Sequence, residues 1–140
     1  MAMLPSGITP MTNIEIDVLG TGILTPAYGS RPSLTTTSLY WPEDRWLLGW
    51  SPWIGFGRAT ILESHLILRH NGTSVFVRGP HKESDGQMYD LTGSEFFPAE
   101  TGRLVKAGET VGIEFLVSNT GYPLTPSGGQ ANARIYSIKA

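Results

Sequence analysis

The chain contains no cysteine, and this absence excludes several classes of protein. A disulfide scaffold, a zinc centre built on thiolates and a cysteine nucleophile all need that residue. No apolar run approaches the roughly 20 residues that a membrane-spanning helix requires. The first residues, Met1-Ala2-Met3-Leu4-Pro5, also lack the basic start and apolar stretch of a secretion signal. We therefore expect no membrane partner.

The chain also lacks a large excess of charge of either sign. Ten basic and twelve acidic side chains leave a formal net charge of −2, which argues against a nucleic-acid partner because such proteins usually carry a basic stripe. Hydrophobic residues make up 40% of the 140 residues, enough for the core of one domain. We expect residues 12–140 to form that domain, preceded by an extended N-terminal arm at residues 1–11.

Helical periodicity is missing, and glycine and proline are abundant. Seventeen glycines and ten prolines are spread along the chain and separate short segments with the alternation of β-strands. Roughly seven to nine strands of this kind predict an all-β, antiparallel β-sandwich. A jelly roll is the favoured arrangement, although periodicity does not specify strand order and another Greek-key sandwich fits the same pattern. Strands are expected at residues 14–18, 33–40, 61–70, 73–78, 110–118 and 131–138, with a polar loop at 79–86.

Two of these segments carry more detailed predictions. In Ile14-Glu15-Ile16-Asp17-Val18 the apolar residues alternate with carboxylates, which predicts a strand with an apolar buried face and an acidic wet face. Asn71-Gly72 is the preferred two-residue type I′ turn of a β-hairpin, and such a turn fixes the register. The expected cross-strand pairs are His70–Thr73, Leu68–Val75 and Leu66–Val77 on one face, and Arg69–Ser74 and His65–Arg78 on the other.

Motifs that carry chemistry are absent as well. The three histidines have no metal-ligand spacing, and neither a nucleophile elbow nor a glycine-rich phosphate loop occurs. A small hydrolase or lyase would instead need perturbed carboxylates beside a cleft, for example among Asp85, Asp90 and Glu95. No acid pair has a spacing that demands this interpretation. We expect a protein that is not an enzyme and has no cofactor or metal.

The most unusual segment is aromatic, because all four tryptophans lie between positions 41 and 53. If the segment is extended, Trp46, Leu48 and Trp50 share one strand face, whereas Trp41 and Trp53 stand beside prolines where the chain is expected to turn. Three interpretations stay open: an aromatic core, a protein interface enriched in tryptophan, and a platform on which sugar rings stack.

The overall plan of residues 12–138 resembles the jelly-roll cement, or decoration, proteins of tailed bacteriophage capsids. The resemblance rests on the strand at 14–18, the Asn71-Gly72 hairpin, and the strands at 111–117 and 131–138. It implies a structural virion protein, made in the host cytoplasm, that forms homo-oligomers on the outer surface of the shell and bridges subunits of the major capsid protein. The arm and the tryptophan segment are the expected contact residues: Met1, Met3, Leu4, Pro5, Ile8, Met11, Trp41, Trp46, Trp50 and Trp53.

A second function fits the same fold. A carbohydrate-binding module, or the receptor-binding tip of a phage fibre, would present coplanar exposed aromatic rings to a glycan. The candidates are Tyr28 and the four tryptophans.

Overall fold

The computed structural model describes residues 2–5, 13–20, 29–56, 61–84, 89–119 and 129–140. All eleven elements in these ranges are β-strands. They are β1 (Ala2–Met3), β2 (Glu15–Gly20), β3 (Gly29–Tyr40), β4 (Arg45–Phe56), β5 (Ile61–His70), β6 (Thr73–Ser84), β7 (Tyr89–Thr92), β8 (Glu95–Phe96), β9 (Thr101–Val105), β10 (Thr110–Asn119) and β11 (Gly129–Lys139). The described part of the chain contains no helix long and apolar enough to cross a membrane.

The strands form two sheets with jelly-roll topology. One sheet has the order β1-β9-β4-β11-β2, with β7 and β8 also paired to β4, and the other has the order β3-β10-β5-β6. The eight longer strands pair as nested antiparallel couples: β5 with β6, β4 with β9, β3 with β10, and β2 with β11. A long hairpin of strand pairs wrapped into two sheets is the jelly roll. The predicted antiparallel sandwich is confirmed.

The core lies between the two sheets and is built by alternation along the strands. Trp50 on β4 and Ile135 on β11 face Leu66 and Leu68 on β5 and Phe115 on β10, and all five are fully buried. Burial of a large apolar side chain of this kind contributes about 1.5–3 kcal/mol. The inter-sheet core therefore accounts for why these strands form a closed sandwich.

The predicted hairpin turn is confirmed. Asn71 and Gly72 have φ angles of 49° and 82°, the positive values that a type I′ turn requires at both central positions. The Asn71 side chain also accepts a hydrogen bond from the backbone N–H of Thr110 at 2.9 Å, which joins the turn to β10.

Beyond the first two pairs, the predicted hairpin register is wrong. His70–Thr73 and Arg69–Ser74 pair as expected, but Leu68 pairs with Phe76 and Leu66 with Arg78. The pairs Leu68–Val75, Leu66–Val77 and His65–Arg78 therefore do not form. Val75 is an extra residue, a β-bulge that shifts the alternation of β6. The shift brings Phe76 into contact with the core, where its ring stacks on Trp50 with centroids 6.0 Å apart.

The polar loop predicted at 79–86 is wrong as far as Ser84, because β6 continues to that residue. Gly79 and Pro80, the first two residues of the predicted loop, stand opposite the single residue His65, between the pairs Leu66–Arg78 and Ser64–His81. Proline is tolerated at such a bulge on an edge strand, because no ladder hydrogen bond depends on its missing N–H. β6 is an edge strand of its sheet.

Pro52 likewise does not end its strand. β4 runs from Arg45 to Phe56 through Pro52, which pairs with Ala133 of β11. The expected change of chain direction beside Trp53 is therefore absent, and Trp53 lies within the strand.

Candidate interaction surface

The face that β2 presents to solvent is the reverse of the predicted one. Ile16 and Val18 are 55% and 65% exposed, and Ile14 is also exposed. Glu15 and Asp17 occupy the alternate positions and lie opposite Ser137 and Ile135, which are fully buried. An apolar row on an edge strand is thus left facing outward.

A buried cation explains this reversal. Arg45 at the start of β4 is buried, forms an ion pair with Glu15, and donates to Ser137 Oγ at 3.3 Å. Its guanidinium lies 5.5 Å from the centre of the Trp41 ring, and Trp41 Nε1 donates to Asp17 Oδ2 at 3.0 Å. The buried charge must be paired, and Glu15, whose side chain stays 46% exposed, supplies a carboxylate, while Asp17 accepts from the neighbouring indole of Trp41. Both acidic side chains therefore lie on the face of β2 that is directed toward Arg45 and Trp41. The apolar side chains of the strand then have only the outer face left.

The exposed apolar row continues across the outer face of the sheet. Ile16 pairs with Tyr136 of β11, Tyr136 pairs with Gly49 of β4, and Gly49 pairs with Phe96 of β8. The rings of Tyr136 and Phe96 are in contact, with centroids 5.1 Å apart, and Phe96 is 51% exposed. We call this feature the outer apolar surface and define it by Ile14, Ile16, Val18, Phe96 and Tyr136.

Gly49 is necessary for this arrangement. A Cβ at position 49 would collide with the backbone oxygen of Glu95 and lie 2.6 Å from Phe96 Cδ1, so no other residue fits there without displacing β8. Beside Phe96 a groove of about 520 Å³ opens, lined among others by Ile14, Leu48 and Pro98. Contiguous apolar surface of this kind is uncommon on monomeric proteins and marks sites of association.

The tryptophans do not share one face. β4 has an extra residue at Leu48, because Gly49 pairs with Tyr136 while Leu47 pairs with Ser137. This bulge places Trp50 in the inter-sheet core.

Trp46 and Leu48 lie in a second apolar cluster with Ile138, packed by Leu4 and Leu104. Three tryptophans, Trp41, Trp46 and Trp50, are buried within the domain, as the aromatic-core interpretation expects. Trp53 is half-buried.

The start of the predicted arm is held by its own domain. Ala2 and Met3 pair with Gly102 and Thr101 of β9, and the backbone N–H of Leu4 donates to Glu100 at 3.0 Å. Leu4 packs on the second cluster, whereas Met3 and Pro5 are exposed. Met1, Ile8 and Met11, like Tyr28 of the glycan hypothesis, lie outside the described residues.

A polar cluster joins the hairpin to the β9–β10 connection. Arg103 Nε donates to His70 Nδ1 at 2.8 Å, so His70 Nε2 carries the proton that Glu109 Oε1 accepts at 3.1 Å. The backbone N–H of Lys106 donates to the same carboxylate at 2.7 Å. The Lys106 hydrogen bond first, and then that of His70, lower the pKa of Glu109 below its usual value. This cluster fixes the hairpin.

The acids considered for catalysis are not brought together. Glu95 forms an ion pair with Arg78 at 3.0 Å. Asp85 lies outside the described residues, and only the backbone of Asp90, in β7, is described. Among the described residues, no group of three or more His, Asp or Glu side chains is placed to hold a metal ion.

Sequence reasoning missed the outer apolar surface, because the alternation in β2 does not specify which face is buried. The signal that could have found it is Arg45, a lone cation in an otherwise aromatic strand. Such a cation needs carboxylate partners, and they are Glu15 of β2 and Glu43, two residues before Arg45.

Comparison with known proteins adds a fold relationship. No family model matches the chain, and no curated protein matches it. Among solved structures, infectious bursal disease virus Gx strain has a TM-score of 0.52 at 11% identity, covering 99% of this chain and 38% of that one. The infectious bursal disease virus VP2 subviral particle has a TM-score of 0.53 at 12% identity, covering 98% of this chain and 37% of that one.

The chain thus spans little more than a third of these viral chains. At this identity the similarity shows the fold alone, a jelly roll.

Proposed function

We propose that this protein is a structural virion protein, a capsid cement or decoration protein that binds the outer surface of an assembled phage head and bridges major capsid subunits. The observation that carries the proposal is the outer apolar surface, in which exposed apolar side chains at residues 14, 16 and 18 and at Phe96 of β8 lie on either side of the half-buried Tyr136 ring. The jelly-roll topology and the fold similarity to proteins of virus particles support it. The proposed role is structural and requires no catalytic centre.

The contact surface in this proposal differs from the one expected from the sequence. Trp41, Trp46 and Trp50 are buried, so they stabilise the domain and the outer apolar surface takes over the contact role. The edge of β2 adds main-chain groups that a partner strand can pair with. In the proposed assembly the partners are the major capsid protein and further copies of this chain.

The physical mechanism is mass action on a lattice. A protein that binds only the assembled shell stabilises that shell by a free energy that grows with the logarithm of one plus its free concentration divided by Kd. Because many copies engage one closed shell, modest individual contacts add up through multivalency. The protein would be made in the host cytoplasm and act on the finished shell.

The test is co-sedimentation of the purified protein with capsid shells of the virus that encodes it. We expect binding that saturates at a fixed number of copies per shell. Val18→Asp should reduce affinity at least tenfold, because it places a charge on the outer apolar surface. Val77→Asp is the matched control, since Val77 is 51% exposed but lies on the other sheet.

Three results would overturn the proposal: wild-type protein that never sediments with shells, binding that does not saturate, or Val18→Asp and Val77→Asp variants that bind equally well. Sedimentation velocity of the free protein measures its own oligomeric state in parallel.

A further inference from the structure

A polar pocket lies on the same outer face, beyond the outer apolar surface. It has a volume of about 360 Å³ and is lined among others by Ser51, Trp53, Ser94, Asn132 and Arg134. Ser51 pairs with Arg134 and Trp53 pairs with Asn132, so these four side chains stand in two adjacent cross-strand rows of β4 and β11. Pockets of roughly 300 Å³ and more are typical of small-ligand sites.

The pocket forms where β4 is paired with neither β7 nor β8, between Trp50 and Trp53. β7 pairs with β4 from Trp53 onward and β8 pairs with β4 up to Trp50, so the connection through Gly93 and Ser94 bends away beside Ser51. The Ser94 hydroxyl returns to within 2.6 Å of Ser51 Oγ and closes one wall. The Tyr136 hydroxyl lies 2.8 Å from Ser51 Oγ, so Ser51 stands between the pocket and the outer apolar surface.

The two serine hydroxyls bond each other, but three other side chains of the pocket are not engaged by any described residue. Arg134 is exposed, and within the described part of the chain its guanidinium makes no hydrogen bond or ion pair. The side chains of Asn132 and Trp53 likewise have no hydrogen-bond partner among the described residues. One site thus combines a planar cation, an amide, two hydroxyls and a half-buried indole.

We propose that this pocket binds an acidic saccharide, such as a sialic or uronic acid. A guanidinium recognises a carboxylate through two parallel hydrogen bonds, and Arg134 is placed to do so. The indole of Trp53 offers a π face to the C–H bonds of a sugar ring. Asn132 and the serine pair supply the mixed donors and acceptors that ring hydroxyls need. Neither a neutral apolar ligand nor a simple inorganic anion uses all of these groups.

This inference goes beyond the proposed capsid role and rests on different residues. A protein on the outside of a virion that also holds an acidic saccharide would contribute weak attachment to a glycan-coated surface. Many copies on one shell would raise that attachment through avidity.

The test is titration of the full chain with N-acetylneuraminic acid and with glucuronic acid, followed by tryptophan fluorescence. All four tryptophans emit, but a change on ligand addition reports on the pocket, because Trp53 lines it and the buried Trp41, Trp46 and Trp50 do not. Methyl glucoside tests the sugar ring without the charge, and acetate and inorganic phosphate test the charge without the ring.

We expect saturable binding of an acidic sugar, with at least tenfold weaker binding of methyl glucoside, acetate and phosphate. Arg134→Met should weaken the acidic sugar at least tenfold. Lys139→Met removes the same charge from the same strand outside the pocket, and this control should leave the affinity unchanged.

Equal affinity for acetate or phosphate and the acidic sugars would overturn the proposal in favour of a plain anion site. No saturable binding of either sugar, or an Arg134→Met variant that binds like the wild type, would overturn it as well. Shell binding and its loss in Val18→Asp are measured separately, so failure of the saccharide site is distinguishable from failure of the capsid role.

Discussion

Replacement of Arg45 by methionine tests the physical basis of the outer apolar surface. Arg45 forms ion pairs with Glu15 and, at 3.5 Å, with the exposed Glu43, and its guanidinium lies against the Trp41 ring, whose Nε1 donates to Asp17. Methionine keeps the apolar stem of the side chain but removes the charge and all five donors. If the cation determines which face of β2 is inward, the variant should be clearly less stable.

The cost can be worked from the contacts. Because the Glu15 side chain is 46% exposed and can rehydrate, its ion pair contributes only about 1 kcal/mol. Loss of the Ser137 hydrogen bond leaves a buried hydroxyl without its partner and costs about 1 kcal/mol more. The contact with the Trp41 ring contributes about 0.5–1 kcal/mol. Together these terms predict a loss of ~2–3 kcal/mol.

The assay is equilibrium unfolding of each variant, once by chemical denaturant and once by heat. For a domain of this size a loss of ~2–3 kcal/mol corresponds to a fall in Tm of about 8 °C. A double-mutant cycle with Glu15→Gln should give a coupling free energy of about 1 kcal/mol. Arg134→Met is the matched control: it removes an exposed arginine of β11 and should stay within about 0.5 kcal/mol of the wild type. Equal stability of the Arg45→Met and Arg134→Met variants would refute the reasoning.

Three further predictions concern packing and pH. Gly49→Ala should lower the free energy of unfolding by about 1–3 kcal/mol, measured with denaturant, because the new Cβ would lie 2.6 Å from Phe96 Cδ1. Gly20→Ala, whose Cβ has its nearest atom 3.7 Å away, should be neutral or slightly stabilising. Equal effects of the two substitutions would contradict the packing described for β8. Phe115→Ala should cost about 3–5 kcal/mol, and a loss under about 1 kcal/mol would contradict its burial in the core. The pKa of Glu109 is lowered in the folded state, so its stabilisation is present above the usual value of 4.5 and is lost as pH falls through the folded pKa. Glu109→Gln should therefore flatten the fall in Tm below about pH 4.5, and an unchanged acid profile would contradict this role.

The structural elements that are determined by adjacent residues could be predicted from the sequence. Asn71-Gly72 specifies a type I′ turn by itself, and the turn has the expected φ angles. The strand predicted at 110–118 corresponds to β10, Thr110–Asn119, because its alternation is regular and its buried residues lie on one face.

The missed features depend on contacts between distant residues. Bulges at Leu48 and Val75 reverse the alternation of their strands, and neither position carries a glycine or proline that would mark it. The inward turn of Glu15 depends on Arg45, thirty positions away, which no local pattern reveals. Strand order follows from packing and is not encoded in periodicity.

The most direct test of the proposed role is hydroxyl-radical footprinting of the protein, free and bound to capsid shells. Binding should protect Phe96 and the β2 residues Ile16 and Val18 from oxidation. Tyr40, which is 67% exposed on a strand of the other sheet, should be oxidised equally in both states. Protection of Tyr40 with unchanged oxidation of Phe96 and β2 would contradict the claim that the outer apolar surface binds the shell.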